Sequence, residues 1–131
     1  MIVVDASCLY EVVVDSPRAE AIRSRLAADA DQAAPHIIDG EVFSLIRRDY
    51  LAGNLDATLA ALAVEDLRGW PGDRFDQRAL LARAWELRDT VRGWDALYVA
   101  LAEVLNATLV TLDARLSRAP GPKCTIEVPQ L

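Results

Sequence analysis

Lysine is nearly missing from this chain: Lys123 stands alone against thirteen arginines. A surplus of positive charge is missing too. Acidic residues outnumber basic ones 20 to 14, leaving a formal net charge of −6. That excludes a protein that holds nucleic acid mainly through a basic surface. The only histidine is His36 and the only cysteines are Cys8 and Cys124. The chain therefore has no set of soft ligands for zinc or redox chemistry. Each cysteine sits in an apolar run and reads as a small buried hydrophobe. Long greasy runs are also lacking. The longest, Ala96 to Ala102, falls far short of the roughly 20 residues a membrane span needs. No basic segment precedes the first strand-like run, so no signal peptide is expected. The expected location is the cytoplasm, where a Cys8–Cys124 disulfide is not expected.

What the chain does have is apolar bulk. Hydrophobic residues make up 53% of its 131 positions, enough to bury the core of one domain spanning 1–131. Neither an internal repeat nor a low-complexity tract is present. The bias toward arginine has two readings. An Ala- and Arg-rich chain reflects a GC-rich coding sequence, and Arg also grips phosphate bidentately where Lys cannot.

Apolar patterning predicts a strand over residues 1–4 and a helix over 6–14, ended by Asp15-Ser16-Pro17. A second helix runs from Pro17 to about Ala30, with Ala19, Ile22 and Leu26 inward. Residues 35–38 read as the next strand. Asp39-Gly40 then opens a helix through Tyr50, and residues 55–65 form another. Leu67–Trp70 reads as a brief strand closed by Pro71-Gly72. A helix from Gln77 to about Thr90 stops at Gly93, and Trp94–Leu105 is the most apolar helix. A strand at Leu109–Leu112, a short helix, a Pro120-Gly121-Pro122 loop and a strand at Cys124–Val128 complete the chain. Strands alternating with helices imply right-handed crossovers and a parallel sheet covered on both faces. The expected fold is a three-layer α/β/α sandwich.

Two of these strands end alike. Ile2-Val3-Val4 runs into Asp5, and Leu109-Val110-Thr111-Leu112 runs into Asp113. Two further acids, Glu41 and Asp95, stand near the starts of helices. Each has a structural explanation. Asp5, Asp95 and Asp113 can cap helices, and Glu41 can sit in the first turn of its helix, where the macrodipole favours an anion. Together they suggest more. Ligands of parallel sheets bind at the carboxyl ends of the strands. Four carboxylates converging there repel one another unless they share protons or hold a cation. Oxygen-only ligands suit Mg²⁺ or Mn²⁺. Ser7 lies two residues after Asp5 and Thr111 two before Asp113. They are either a cap and ordinary β-propensity, or support for the carboxylates. A divalent ion at a sheet edge polarises a phosphoryl oxygen and acidifies a bound water. The cation would then meet a phosphate despite the acidic surface.

The blocks VVDAS (3–7), EVFSLIRR (41–48), WDALYVALAE (94–103) and TLDARL (111–116) resemble the four motif blocks of the PIN domain, and most closely those of VapC-like toxins of type II toxin–antitoxin pairs. The resemblance spans nearly the whole chain, with the blocks in order. It implies a metal-dependent endoribonuclease in which Asp5 and Asp95 are the main metal ligands, Asp113 completes the site and Glu41 positions metal or water. A metal-activated water would cut RNA, leaving 5′-phosphate and 3′-hydroxyl ends. A homodimer neutralised by a small cognate antitoxin is implied as well. Arg47 and Arg48, Arg92 and Arg115 are the expected RNA or antitoxin contacts, although Arg47 and Arg48 read equally well as a solvated pair. The segment from Gly53 to Arg92 carries no block that can be tested.

Other readings fit less well. A phosphatase of the haloacid dehalogenase type needs a second Asp two residues after Asp5, where this chain has Ser7. A receiver-like phospho-acceptor domain needs paired acids after the first strand and a Lys after the last strand, but Lys123 precedes it. A degenerate PIN-like module that binds RNA or protein without cleavage has no use for four clustered acids.

Overall fold

The computed structural model describes residues 1–131. Five strands form one all-parallel sheet: β1 (Ile2–Val4), β2 (Gln32–Pro35), β3 (Asp73–Phe75), β4 (Thr108–Val110) and β5 (Ile126–Glu127), in the order β3-β2-β1-β4-β5. Seven helices flank it: α1 (Ala6–Val13), α2 (Ala19–Ala27), α3 (Ile37–Leu51), α4 (Ala57–Gly69), α5 (Leu81–Glu86), α6 (Asp95–Leu105) and α7 (Ala114–Arg118). This is the α/β/α sandwich expected from the alternation of strands and helices.

The order of the strands decides where a site can form. β1 is central, and the chain builds outward through β2 and β3 before crossing back to β4 and β5. The reversal lies between β1 and β4, whose register pairs Val4 with Val110. A switch of this kind splays the connections apart and leaves a crevice at the carboxyl ends. Asp5 enters that crevice at the end of β1, and its amide closes the pairing by donating to the Val110 carbonyl at 3.0 Å.

Burial explains why these residues form these elements. Ile2, Val3 and Val4 are all buried, as suits a central strand covered on both faces. Packed over β1, β2 and β4, α6 buries Ala96 and the unbroken run Tyr98–Ala102. On α3, Ile38, Val42 and Ile46 recur every four residues and are all buried.

That stripe corrects one boundary. The second strand is Gln32–Pro35, not 35–38, and Ile37 and Ile38 begin α3. Ile38 belongs to the period-four stripe, while the small Ala33 and Ala34 fill the buried positions of the strand. Exposed His36 consequently follows β2 rather than lying within it. The expected strand at Leu67–Trp70 is the last turn of α4, where Ala63 and Leu67 share a buried face. The actual strand, Asp73–Phe75, is a polar edge strand with no apolar run to announce it. The helix expected over 77–90 is shorter, a 3₁₀ turn at Arg78–Leu80 running into α5. The last two strands, β4 and β5, are also shorter than 109–112 and 124–128.

Both cysteines are free: Cys8 is buried and Cys124 half-buried. No helix is long and apolar enough to cross a membrane.

Candidate active site

Asp5 is the most buried acid, at 7% exposure. It caps α1, and it also joins a network wider than a cap. Its Oδ2 accepts from the Ser7 amide at 3.2 Å, the Ser7 hydroxyl at 2.5 Å and the Thr111 hydroxyl at 3.1 Å. Backbone amides in turn hold the hydroxyls. Leu112 N–H donates to Ser7 Oγ and Asp113 N–H to Thr111 Oγ1, both at 3.1 Å. The end of β4 is thereby tied to the end of β1 through two side chains. Three donors converge on Oδ2, and Oδ1 accepts no hydrogen bond. Because no buried side-chain oxygen lacks a partner, Oδ1 is not sealed from solvent.

Two of the other acids follow the same plan, and Asp95 does not. Asp113 caps α7 through Oδ1, which accepts from the amides of Arg115 at 2.9 Å and Leu116 at 3.4 Å. Its Oδ2 is uncommitted. Glu41 accepts at Oε1 from the Tyr98 hydroxyl at 2.8 Å and leaves Oε2 free. Asp95 is the first residue of α6, and Trp94 occupies the cap position without a capping hydrogen bond. Asp95 therefore caps nothing, and neither of its oxygens has a hydrogen-bond partner. Glu41 lies beyond the first turn of α3, where Asp39 stands instead, paired bidentately with Arg74. The macrodipole accounts for Asp39 but not for Glu41.

Burial and neighbouring charge act on Glu41 and Asp95 together. Burial pushes the Glu41 carboxyl up to about 7, with the charges of Asp5 and Asp95 adding to it and the Tyr98 hydrogen bond opposing it. Burial, then Asp5 and Asp113, push Asp95 up to about 6, while Arg92 opposes. Burial raises Asp5 as well, against the donors on its Oδ2. Keeping these neighbouring carboxyls ionised together works against their burial. The structure brings Glu41 near Asp5 and Asp95, and Asp95 near Asp5 and Asp113. No three acids are placed to enclose an ion by themselves. The donor set still fits a hard cation, since it offers only oxygens, uncommitted ones, and Mg²⁺ ordinarily takes one or two carboxylates and completes its shell with waters and substrate phosphate.

The arginines divide. Arg92 and Arg115 line a cleft of about 160 Å³ together with Asp95 and Asp113, and neither has a carboxylate within ion-pairing distance. Arg48 is bound to Asp49 at 3.1 Å, and Asp49 also accepts from Tyr10. Arg47 borders an apolar groove between α3 and α4, beside Phe43, Tyr50 and Val64. Arg47 and Arg48 therefore do not join the acids. Helical spacing from Glu41 carries them along α3, away from the crevice. The residue missed by sequence reasoning is Tyr98. Its signal was a lone hydroxyl on the most apolar helix, three positions after Asp95.

Removing the Thr111 hydroxyl tests the network. Thr111→Val keeps the β-branched shape but strips one donor from Asp5 and one acceptor from the Asp113 amide. The expected loss is about 1–3 kcal/mol, measured as a lower urea midpoint with unchanged slope. An unchanged midpoint would mean that the network contributes nothing.

Comparison with known proteins agrees with this geometry. The PIN domain model matches residues 2–122. Ribonuclease VapC3 of Mycobacterium tuberculosis is 44% identical over 119 residues, 90% of this chain and 86% of that protein. Ribonuclease VapC9 of the same organism is 38% identical over 128 residues, 98% of each chain. The crystal structure of VapBC2 from Rickettsia felis, bound to a DNA fragment from their promoter, superposes with a TM-score of 0.71 at 19% identity, covering 99% of this chain and 100% of that one. With a family model covering most of its length and relatives this similar from end to end, the chain belongs to the PIN-domain family and, within it, to the VapC ribonucleases.

Proposed function

We propose that the chain is one metal-dependent endoribonuclease domain, the toxin of a type II toxin–antitoxin pair, and that Asp5, Glu41, Asp95 and Asp113 form its catalytic centre. The observation that carries this reading is the set of uncommitted carboxylate oxygens at the β1–β4 switch, beside a cleft with two unpaired arginines. Its relatives are named ribonucleases, and this set of donors suits phosphodiester chemistry.

In this reading Asp5 and Asp95 are the main ligands of Mg²⁺ or Mn²⁺, with Asp113 and Glu41 completing the site directly or through water. When bound, the cation polarises a phosphoryl oxygen and acidifies a water. The protein's own groups do the rest. Ser7 and Thr111 keep Oδ2 of Asp5 occupied, so that Oδ1 points outward. Arg92 and Arg115 hold the phosphates on either side of the scissile bond. Water adds to phosphorus, the bond to the 3′ oxygen breaks, and the proton ends on that oxygen, giving 5′-phosphate and 3′-hydroxyl products. Arg47, at the apolar α3–α4 groove, is left as a contact for an antitoxin rather than for RNA. A homodimer working in the cytoplasm completes the reading.

The direct test incubates the purified chain, free of any partner, with total cellular RNA in Mn²⁺, in Mg²⁺ and in EDTA. Discrete fragments bearing 5′-phosphates that require metal are expected. A folded, metal-loaded protein that leaves RNA intact across transfer, ribosomal and messenger pools would overturn the nuclease reading in favour of a binding module.

A further inference from the structure

Helix α6 buries Ala96, Tyr98, Val99, Ala100, Leu101 and Ala102. Five of these are purely apolar. Tyr98 is fully buried and is among the largest wholly buried side chains. A phenol hydroxyl in that position must find a partner or cost about 1–3 kcal/mol. Phenylalanine would fill the same space without the requirement. The hydroxyl has one partner, Oε1 of Glu41 at 2.8 Å, 57 positions away in sequence and on a different helix.

The four acids differ in how they are held. Asp5 has three donors on one oxygen and Asp113 has two amides. Asp95 is short, and its position is set by the first turn of α6. Glu41 is the longest of them, with a further rotatable bond, and Tyr98 is its only hydrogen-bond partner. Tyr98 also stands three residues after Asp95 on the same helix, so the two side chains share one face.

We propose that Tyr98 is the positioning residue of Glu41: α6 carries Asp95 into the crevice directly and, through the Tyr98 hydroxyl, fixes where the Glu41 carboxylate stands beside it. This rests on the catalytic reading above. Tyr98 does not touch the substrate and acts only by holding Glu41 Oε1, which turns Oε2 toward the reacting centre. Catalytic groups lose effect quickly when they drift from productive geometry, and a misplacement of about 1 Å can cost a hundredfold.

The test uses Tyr98→Phe in the full chain. It has two arms. The first is NMR of Glu41 with selectively labelled glutamate, reading the couplings of its side-chain methylenes without RNA. One rotamer is expected in the wild type and averaged couplings in Tyr98→Phe. The second is cleavage kinetics. A fall in kcat of about ten- to a hundredfold is expected with KM within twofold, and no further fall when Tyr98→Phe is added to Glu41→Ala. Glu41 staying fixed in Tyr98→Phe overturns the proposal. So does an equal loss in the Glu41→Ala background, which would make Tyr98 a packing residue. Should Tyr98→Phe melt too low to assay, Glu41→Asp withdraws the carboxylate from the hydroxyl's reach, and full kcat in that variant also overturns it. If the wild type cleaves no RNA, the nuclease reading falls while the NMR arm still decides the clamp.

Discussion

Asp95→Asn is expected to abolish cleavage while raising the melting temperature of the metal-free protein. Both effects come from the same surroundings. Asp95 is half-buried, has no hydrogen-bond partner and caps no helix. Burial and the charges of Asp5 and Asp113 push its carboxyl up to about 6, so ionising it at neutral pH works against the fold. Asn has the same shape without the charge. Allowing for solvent screening at a partly open site, the gain is about 1 kcal/mol, or about 3 °C for a chain of this size. On the proposed role of Asp95 as a main cation ligand, its removal forfeits several kcal/mol of transition-state stabilisation, about a thousandfold in rate or more. Melts followed by circular dichroism in EDTA at neutral pH, alongside fragment yields from RNA, check both halves. A drop of several degrees would show that Asp95 supports the fold. Wild-type cleavage would remove it from the site.

The pairing of lost activity with gained stability separates a site from a cap, and only Asp95 offers it cleanly. Asp5 caps α1 and accepts three donors, while Asp113 caps α7. For those two residues a capping role does not exclude the proposed catalytic one. The cap uses one oxygen and leaves the other to the crevice. Weighing capping against catalysis, as the sequence invites, sets up an opposition that the geometry does not contain.

The sequence made the acids legible because two of them end apolar strands and two stand near helix starts, and parallel topology sends all four places to one edge. It made the arginines less legible. Arg47 and Arg48 lie near Glu41 in number, but the helix turns Arg48 to Asp49 and Arg47 to the α3–α4 groove. Arg92 and Arg115 do reach the cleft, because Arg92 lies just ahead of α6 and Arg115 lies in the first turn of α7. Strand boundaries failed where composition misled. Ala33 and Ala34 are too small to read as a strand, and Asp73–Phe75 is too polar, since an edge strand needs only backbone pairing along one side. Tyr98 was hidden by its neighbours. In a run as apolar as LYVALA its ring reads as core, and only the fold, which brings α6 to Glu41 of α3, shows that the hydroxyl is spent there.

Stability of the metal-free protein should pass through a maximum near pH 5 and fall toward pH 8, and Mn²⁺ should abolish the fall. Two populations of carboxylate set the shape. Asp49, Glu103 and Glu127 are held below their ordinary values, first by hydrogen bonds from Arg48, Arg83 and Arg25 respectively. The stability they contribute is present at neutral pH and is lost as pH drops through their lowered values. The site acids behave oppositely. Asp95 at about 6 and Glu41 at about 7 bind protons more tightly in the folded chain than in the unfolded one. Their contribution is complete below about pH 4 and disappears as pH climbs through 6 and 7. A cation bound as proposed would reverse the penalty, because it takes the ionised oxygens, and its affinity would grow over the interval in which the protons leave. At a hundred times its dissociation constant it adds about 2.7 kcal/mol. The stabilisation by Mn²⁺, taken as the difference between melts in metal and in EDTA, should therefore be small at pH 5 and largest at pH 8. Glu41→Gln should flatten the metal-free limb between pH 6 and 8, since the group that titrates there is gone. A metal-free stability that rises across that limb, or a Mn²⁺ effect that does not change with pH, would mean that the clustered carboxylates neither repel one another nor hold the ion.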